Sequence, residues 1–365
     1  MKNISIISFT EDGAKQSERV VSYLHTLKEN WIIQQYEKTS HPFLAHTEKV
    51  ESSLADWCIQ TFPKSDVILF IGAIGIAVRG IASCVEDKFK DPAVLVMDEM
   101  GHHVIPVLSG HVGGANEFAL ELSEGLGADP VITTATDLHQ LFAVDVFAKK
   151  NDLVIADRRQ AKEISASLLR EEKVYFYAAD KRIQNVDNQS IKNVCLCTKD
   201  HFIERMASIS AKGVVVTDQM VDIDGVCQLI PKCNILGIGC RKGTDSDLLE
   251  QTILHILSEH RILLQSVARI ATINIKKDEA AICAFSEKYQ IPVDIFTAEE
   301  LMAVKGEFSA SDFVFSQTGT DNVCERAAVA SALQSVKKVE LTIKKQAGNG
   351  ITLALATRDW SITFE

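Results

Sequence analysis

Asp66-Val67-Ile68-Leu69-Phe70-Ile71-Gly72-Ala73-Ile74-Gly75-Ile76-Ala77-Val78-Arg79 decides the fold class. The run from Val67 to Ile71 has the length of a strand and no polar residue, so both of its faces must be covered, as in a parallel sheet between helices. The glycines turn the chain, and a short helix is predicted from near Ile76. Upstream, Ile4 to Phe9 reads as a first buried strand, and Lys15 to Lys28 as a helix with Val20, Val21, Leu24 and Leu27 at helical spacing. Residues 40–64 carry no decisive pattern.

Downstream, Ala93 to Asp98 and His103 to Leu108 read as extended segments. A helix follows from about Asn116 to Leu126, with Gly127 placed to end it. Val131 to Asp137 is predicted to leave a further strand into a polar turn. Two helices (Leu141 to Lys150, Arg159 to Leu169) and three short strands (Val174 to Tyr177, Asn193 to Cys197, Gly213 to Thr217) follow, with a polar turn at Asn185 to Ser190. A last block opens with Cys233 to Thr244 as a strand and loop and closes on a strand pair, Val339 to Lys344 and Gly350 to Ala356. The predicted fold is therefore α/β and multi-domain, with mostly parallel sheets flanked by helices. Its expected regions are N-terminal (1–137), middle (138–232) and C-terminal (233–365).

With 365 residues, 46% hydrophobic and 24% charged, the chain has room for several cores and is not a disordered tract. Its formal charge, 38 − 49 = −11, argues against nucleic acid or an anionic membrane as partner. Nine scattered cysteines, an odd number, fit thiols of a reducing compartment better than a disulfide framework. Cys195-x-Cys197 lacks a matching His/Cys pair at zinc spacing. The N-terminus does not read as a signal peptide, and the apolar run from Val67 to Ala82, broken by Arg79 and three glycines, does not read as a membrane span. A cytoplasmic location is expected.

Glycine-rich turns after strands are the places to look for ligands in such a fold. Gly237-x-Gly239-x-x-x-Gly243 misses the dinucleotide fingerprint by one residue, yet sets Arg241 and Lys242 beside a helix start, where a carboxylate is welcome. Gly72-x-x-Gly75-x-x-x-Arg79 misses it too, although Asp98 closes the next strand where a ribose-binding acid would stand. Surface charge is the simpler reading of Arg79 and Asp98. Ser109-Gly110-His111-Val112-Gly113-Gly114-Ala115-Asn116 is the most informative loop, because small residues let a ligand approach the backbone around one histidine. A histidine there can act as general base near neutral pH, or be held by a carbonyl as a structural group. His102 and His103, adjacent on an extended segment, point opposite ways and do not complete a metal site with His111. Neither the G-x-S-x-G elbow nor a Walker loop is present.

Taken together, Phe70 to Arg79, Lys88 with Asp91 to Val94, Leu108 to Asn116, Val131 to Asp137, Leu236 to Gly243, Lys276 to Glu279 and Asn322 to Ala328 resemble the cobalt-precorrin-5A hydrolase family of anaerobic cobalamin biosynthesis. Thr320 departs from the apolar residue expected there. The resemblance implies an enzyme that opens the ring-A acetate δ-lactone of cobalt-precorrin-5A and releases the extruded C20 unit as acetaldehyde, leaving cobalt-precorrin-5B. It implies no cofactor and no protein-bound metal, since the cobalt belongs to the substrate, whose macrocycle is itself the electron sink. Partners would be that substrate and product, with transient contact to neighbouring pathway enzymes.

On this reading His111 activates water, the N–H groups of Gly113 and Gly114 steady the oxyanion, and Asp98 or Glu325 orients His111 or handles the second proton. Substrate contacts are expected from Gly72, Gly75, Arg79, Lys88, Ser109, Gly110, Asn116, Thr134, Gly239, Cys240, Arg241, Lys242, Lys276, Lys277 and Lys345. A rival from another class is a non-catalytic tetrapyrrole- or nucleotide-binding module. A nicotinamide-dependent dehydrogenase is disfavoured by both imperfect fingerprints.

Overall fold

The computed structural model describes residues 2–27, 30–87, 90–138, 141–179, 182–184, 191–207 and 211–364. Lys88 and the predicted turn at 185–190 lie outside the described residues. The chain forms two compact units, Met1–Leu141 and Phe142–Glu365.

The first unit runs β1 (Lys2–Ser8), α1 (Glu11–Thr26), β2 (Trp31–Glu37), β3 (Glu48–Lys49), α2 (Leu54–Thr61), β4 (Val67–Ile71), α3 (Ile74–Ile81), β5 (Ala93–Met97), β6 (His103–Leu108), α4 (Ala115–Leu126), β7 (Asp129–Pro130) and α5 (Ala135–Leu138). Its sheet has the order β3-β2-β1-β4-β5-β6-β7. The apolar run of β4 is buried throughout, as its composition requires. Val67, Leu69 and Ile71 join α1 and α4 in one core, while Ile68 and Phe70 join Trp57 and Cys58 of α2 and Ala77 and Ile81 of α3 in the other. Thr10 caps α1 by accepting the Gly13 N–H (3.1 Å), and Gly127 ends α4 at φ 69°.

Strand direction then decides where the loops go. β1, β2, β3, β4 and β5 are parallel, but β6 runs antiparallel to β5, pairing Met97 with Val104 and Val94 with Leu108. The end of β6 therefore lies at the edge of the sheet opposite the carboxyl ends of β4 and β5. The strand expected to lead into the polar turn at Val131 to Asp137 is short, the two residues of β7. Pro130 already ends β7, and the polar Thr-Thr-Ala-Thr stretch turns into α5 instead.

The second unit begins with α6 (Val144–Lys150), β8 (Leu153–Ile155), α7 (Arg158–Leu169), β9 (Val174–Ala178), β10 (Ile183–Gln184), β11 (Val194–Leu196), α8 (Lys199–Met206), β12 (Lys212–Val216) and β13 (Val226–Pro231). It continues through β14 (Asn234–Cys240), α9 (Ser246–Glu259), β15 (Val267–Ile273), α10 (Ala280–Tyr289), β16 (Val293–Phe296), α11 (Ala298–Ala303), α12 (Asp312–Thr318), α13 (Cys324–Leu333), β17 (Val339–Gly348), β18 (Ile351–Arg358) and β19 (Ile362–Thr363). Two five-stranded sheets result, β11-β9-β12-β13-β8 and β16-β15-β14-β18-β17. The last residues return to the middle region: β19 pairs with β10 in a separate two-stranded sheet, and Phe364 packs against Phe142, Phe147 and Phe176.

Gly237 and Gly239, read from the sequence as part of a loop, lie inside β14. A Cβ on Gly237 would stand 1.8 Å from the Cys324 carbonyl oxygen, so glycine here is what lets α13 lie directly on the strand.

Candidate functional site

Two of the predicted groups in the first unit are held apart. Gly72, whose N–H donates to the Met97 carbonyl (2.8 Å), Gly75 and Asp98 share the carboxyl edge of β4 and β5. Arg79, one turn further along α3, is exposed and donates to the Gly75 carbonyl (3.0 Å). The Ser109–Asn116 loop and Thr134 occupy the opposite edge, where a Cβ on Gly113 would meet the Ala93 N–H nitrogen at 3.3 Å.

Asp98 therefore cannot orient His111, because they flank the two ends of the β5–β6 hairpin, about 17 Å apart at roughly 3.4 Å per residue. Its carboxylate instead closes the hairpin by accepting the N–H groups of Met100 (3.0 Å), His102 (3.2 Å) and His103 (2.6 Å). Partial burial pushes the Asp98 carboxyl up, but those three donors outweigh it and hold the group below the usual aspartate range.

The Ser109–Asn116 loop is wound on its own backbone. The Gly114 N–H donates to the His111 carbonyl (3.1 Å), Ala115 N–H to Ser109 (3.2 Å) and Asn116 N–H to Gly110 (3.0 Å). The Gly114 amide predicted for an oxyanion is thus spent inside the turn. Asn116 is buried beneath Gly110 and donates to the Thr134 hydroxyl (2.9 Å), so both expected ligand contacts are joined to each other. Ser109 takes a left-handed backbone (φ 55°), rare for a residue with a side chain, and its buried hydroxyl has no hydrogen-bond partner among the described residues. His111 lies in this turn, half-buried.

In the second unit, β14, β15 and β16 are parallel and end together at Cys240, Ile273 and Phe296. Arg241, Lys242, Lys276 and Lys277 lie at their carboxyl edge and Lys345 within β17, but the residues have different duties. Arg241, Lys242 and Lys277 are exposed. Lys276 is not available to a substrate: it forms a buried ion pair with Glu279 (2.9 Å), the two side chains 12% and 6% exposed. The other Glu279 oxygen accepts the N–H groups of Gly243 (2.8 Å) and Thr244 (3.1 Å), pinning the basic loop. Burial raises the Glu279 carboxyl, yet Lys276 and the Gly243 N–H prevail and hold it below the usual range. Gly239 is covered by Thr352 and Val323 and touches no open surface, so it is a packing residue and not a ligand contact.

Glu325 is fully buried at the start of α13. It accepts from Ser309 N–H (2.7 Å), Ser309 Oγ (3.1 Å), Asn322 Nδ2 (2.7 Å) and the Lys345 N–H (2.7 Å). Both oxygens are committed to holding Ser309, Asn322 and the β17 backbone at Lys345, which is the work of an anchor and not of a proton carrier. Burial pushes the thiols of Cys240 and Cys324 up, the latter to about 11, so neither is a thiolate at neutral pH. Glu279, Ser309 and Asn322 were not predicted to build this edge. Glu279 and Asn322 did stand in the family-like segments Lys276 to Glu279 and Asn322 to Ala328, whereas nothing singled out Ser309.

Family models match all three regions: the cobalamin synthesis G N-terminal region over residues 56–137, the cobalamin biosynthesis central region over 142–228 and the cobalamin synthesis G C-terminus over 234–356. The cobalt-precorrin-5A hydrolase of Salmonella typhimurium is 32% identical over 311 residues, 84% of this chain and 86% of that protein. The chain belongs to the cobalt-precorrin-5A hydrolase family. The enzyme of the same description from Priestia megaterium is also 32% identical, over 79% of this chain and 78% of that one. A solved cobalamin biosynthesis protein G homologue from Sulfolobus solfataricus is 20% identical, with a TM-score of 0.40 over 98% of this chain and 97% of that one. Among the described residues no helix is long and apolar enough to cross a membrane.

Proposed function

We propose that this protein hydrolyses cobalt-precorrin-5A to cobalt-precorrin-5B in the cytoplasm, without a cofactor of its own. The observation that carries the reading is similarity along most of the chain to two hydrolases of that description. The exposed Arg241, Lys242 and Lys277 at one sheet edge support it, since they suit a substrate rimmed with carboxylates in a chain of net charge −11.

His111 removes a proton from water as it attacks the ring-A lactone carbonyl, and the Gly113 N–H steadies the oxyanion. Collapse breaks the acyl–oxygen bond, leaving a carboxylate and an alcohol on C20. Loss of the alcohol proton then forms the carbonyl of acetaldehyde as the C20–ring bond breaks, and the bonding electrons pass into the cobalt-bearing macrocycle, which takes up a proton. Incubation with cobalt-precorrin-5A and assay of acetaldehyde tests the reading, because a carrier would bind without releasing it. His111→Ala is expected to lower acetaldehyde release by about 10²–10⁴-fold. Release at the wild-type rate would remove the histidine from this role.

A further inference from the structure

Helix α4 starts without a side-chain cap: its N-cap is Gly114, in a left-handed backbone at φ 86°. The first amide donors of the helix are taken up instead by the loop before it, Ala115 N–H by the Ser109 carbonyl (3.2 Å) and Asn116 N–H by that of Gly110 (3.0 Å). The turn that carries His111 therefore hangs from the end of the helix. Its shape is not one the chain prefers locally. Ser109 is left-handed (φ 55°) and its buried hydroxyl has no partner among the described residues, while a Cβ on Gly113 would stand 2.3 Å from the Ser109 Cβ. Both features of Ser109 cost stability, and such a backbone persists only where its surroundings over-determine it.

Asn116 supplies that constraint. It shares the buried side of α4 with Ala115, Phe118, Ala119 and Leu122, where a carboxamide is tolerated only if it is hydrogen-bonded. Its Oδ1 stands 2.7 Å from the place a Gly110 Cβ would take, so the carboxamide fills the space beneath the residue that precedes His111. Its Nδ2 donates to the Thr134 hydroxyl (2.9 Å). Thr134 is itself held in place: Val131 N–H donates to the Val104 carbonyl of β6 (2.9 Å), and the Thr134 carbonyl accepts from Leu138 of α5 (3.0 Å). One buried side chain thus ties the His111 turn to a segment fixed on the sheet.

We infer that Asn116, oriented by Thr134, is a positioning residue: it holds the turn in the shape that places His111 for attack on the lactone, and neither side chain touches the substrate. The inference rests on the hydrolase reading, in which His111 is the base. Kinetics of acetaldehyde release by the full chain, paired with hydrogen exchange of the amides at 114–116, tests it. Asn116→Ala and Thr134→Val are each expected to lower kcat about 10–100-fold with KM within about twofold, since a catalytic group misplaced by an ångström costs that much. Exchange at 114–116 is expected to quicken about fivefold in both. Thr134→Ser, which keeps the hydroxyl, is expected to recover most of kcat. His111→Ala/Asn116→Ala is expected to be no slower than His111→Ala, because a residue that acts through the histidine then has nothing to position. Thermal unfolding reports whether each variant is folded, and Thr134→Val carries the test if Asn116→Ala is not. A raised KM with unchanged kcat, a double variant slowed by the product of both single effects, or unchanged exchange in folded variants would each overturn the inference. Faster exchange in the variants without acetaldehyde release by the wild type removes the hydrolase reading and keeps the anchored turn; release with unchanged exchange does the reverse.

Discussion

Lys276→Met tests the claim that this lysine holds the protein's own loop and not its substrate. The Glu279 carboxylate is 6% exposed, with one oxygen on Lys276 (2.9 Å) and the other on the N–H groups of Gly243 (2.8 Å) and Thr244 (3.1 Å). Removing the ammonium strands a buried charge, for which about 3–5 kcal/mol is typical, and the two amide donors that remain place this case near the lower figure, about 3 kcal/mol. The Glu279 carboxyl titrates below its ordinary 4.5 in the folded chain. Its contribution is therefore fully present above that value and is lost as pH falls through the lower folded pKa, so the gap between wild type and variant narrows under acid conditions. Hydrogen exchange of the 241–245 amides at pH 7, with urea unfolding alongside, reads the local loss without assuming a two-state whole chain. Lys276→Met/Glu279→Leu removes both charges and is expected to recover most of the stability. Unchanged protection at 241–245 in Lys276→Met, or a double variant less stable than the single, would refute the reasoning.

Asp98→Ala removes three backbone hydrogen bonds whose exposed donors then turn to water, and is expected to cost about 1 kcal/mol in unfolding experiments, while leaving the pH profile of acetaldehyde release unmoved; a shifted profile would restore its link to His111. Gly237→Ala forces β14 off α13 and is expected to destabilise by 3 kcal/mol or about that, the upper end for overpacking, measured by urea unfolding. Phe364→Ala opens the four-ring cluster in the middle sheet and is expected to cost about 2 kcal/mol, less than a fully buried phenylalanine. A melting curve identical to wild type would show that the C-terminal return is not stabilising.

Much of the fold was legible because apolar runs such as Val67 to Ile71 and Ala93 to Met97 leave no choice but burial on both faces. Strand β2 was missed since Trp31 to Glu37 mixes glutamines with apolar residues and is only partly buried. Helix α13 was missed for a different reason: it is buried around most of its circumference, including Glu325 and Arg326, so it shows no clean stripe. Arg326 is accommodated there by Asp321, by the carbonyls of Leu301 and Val304 and by the Phe308 ring.

The sequence by itself determined the α/β class, the family resemblance and the loops at which chemistry was to be sought, because these depend on local pattern and residue type. Tertiary structure alone decided which of those residues remain available. Reversal of one strand, β6, put Asp98 and the His111 loop at opposite sheet edges. Burial turned Lys276, Glu279 and Glu325 inward, since a charge removed from water must find its partner within the chain. Strand direction and desolvation are relations between distant segments, and no window of sequence contains them.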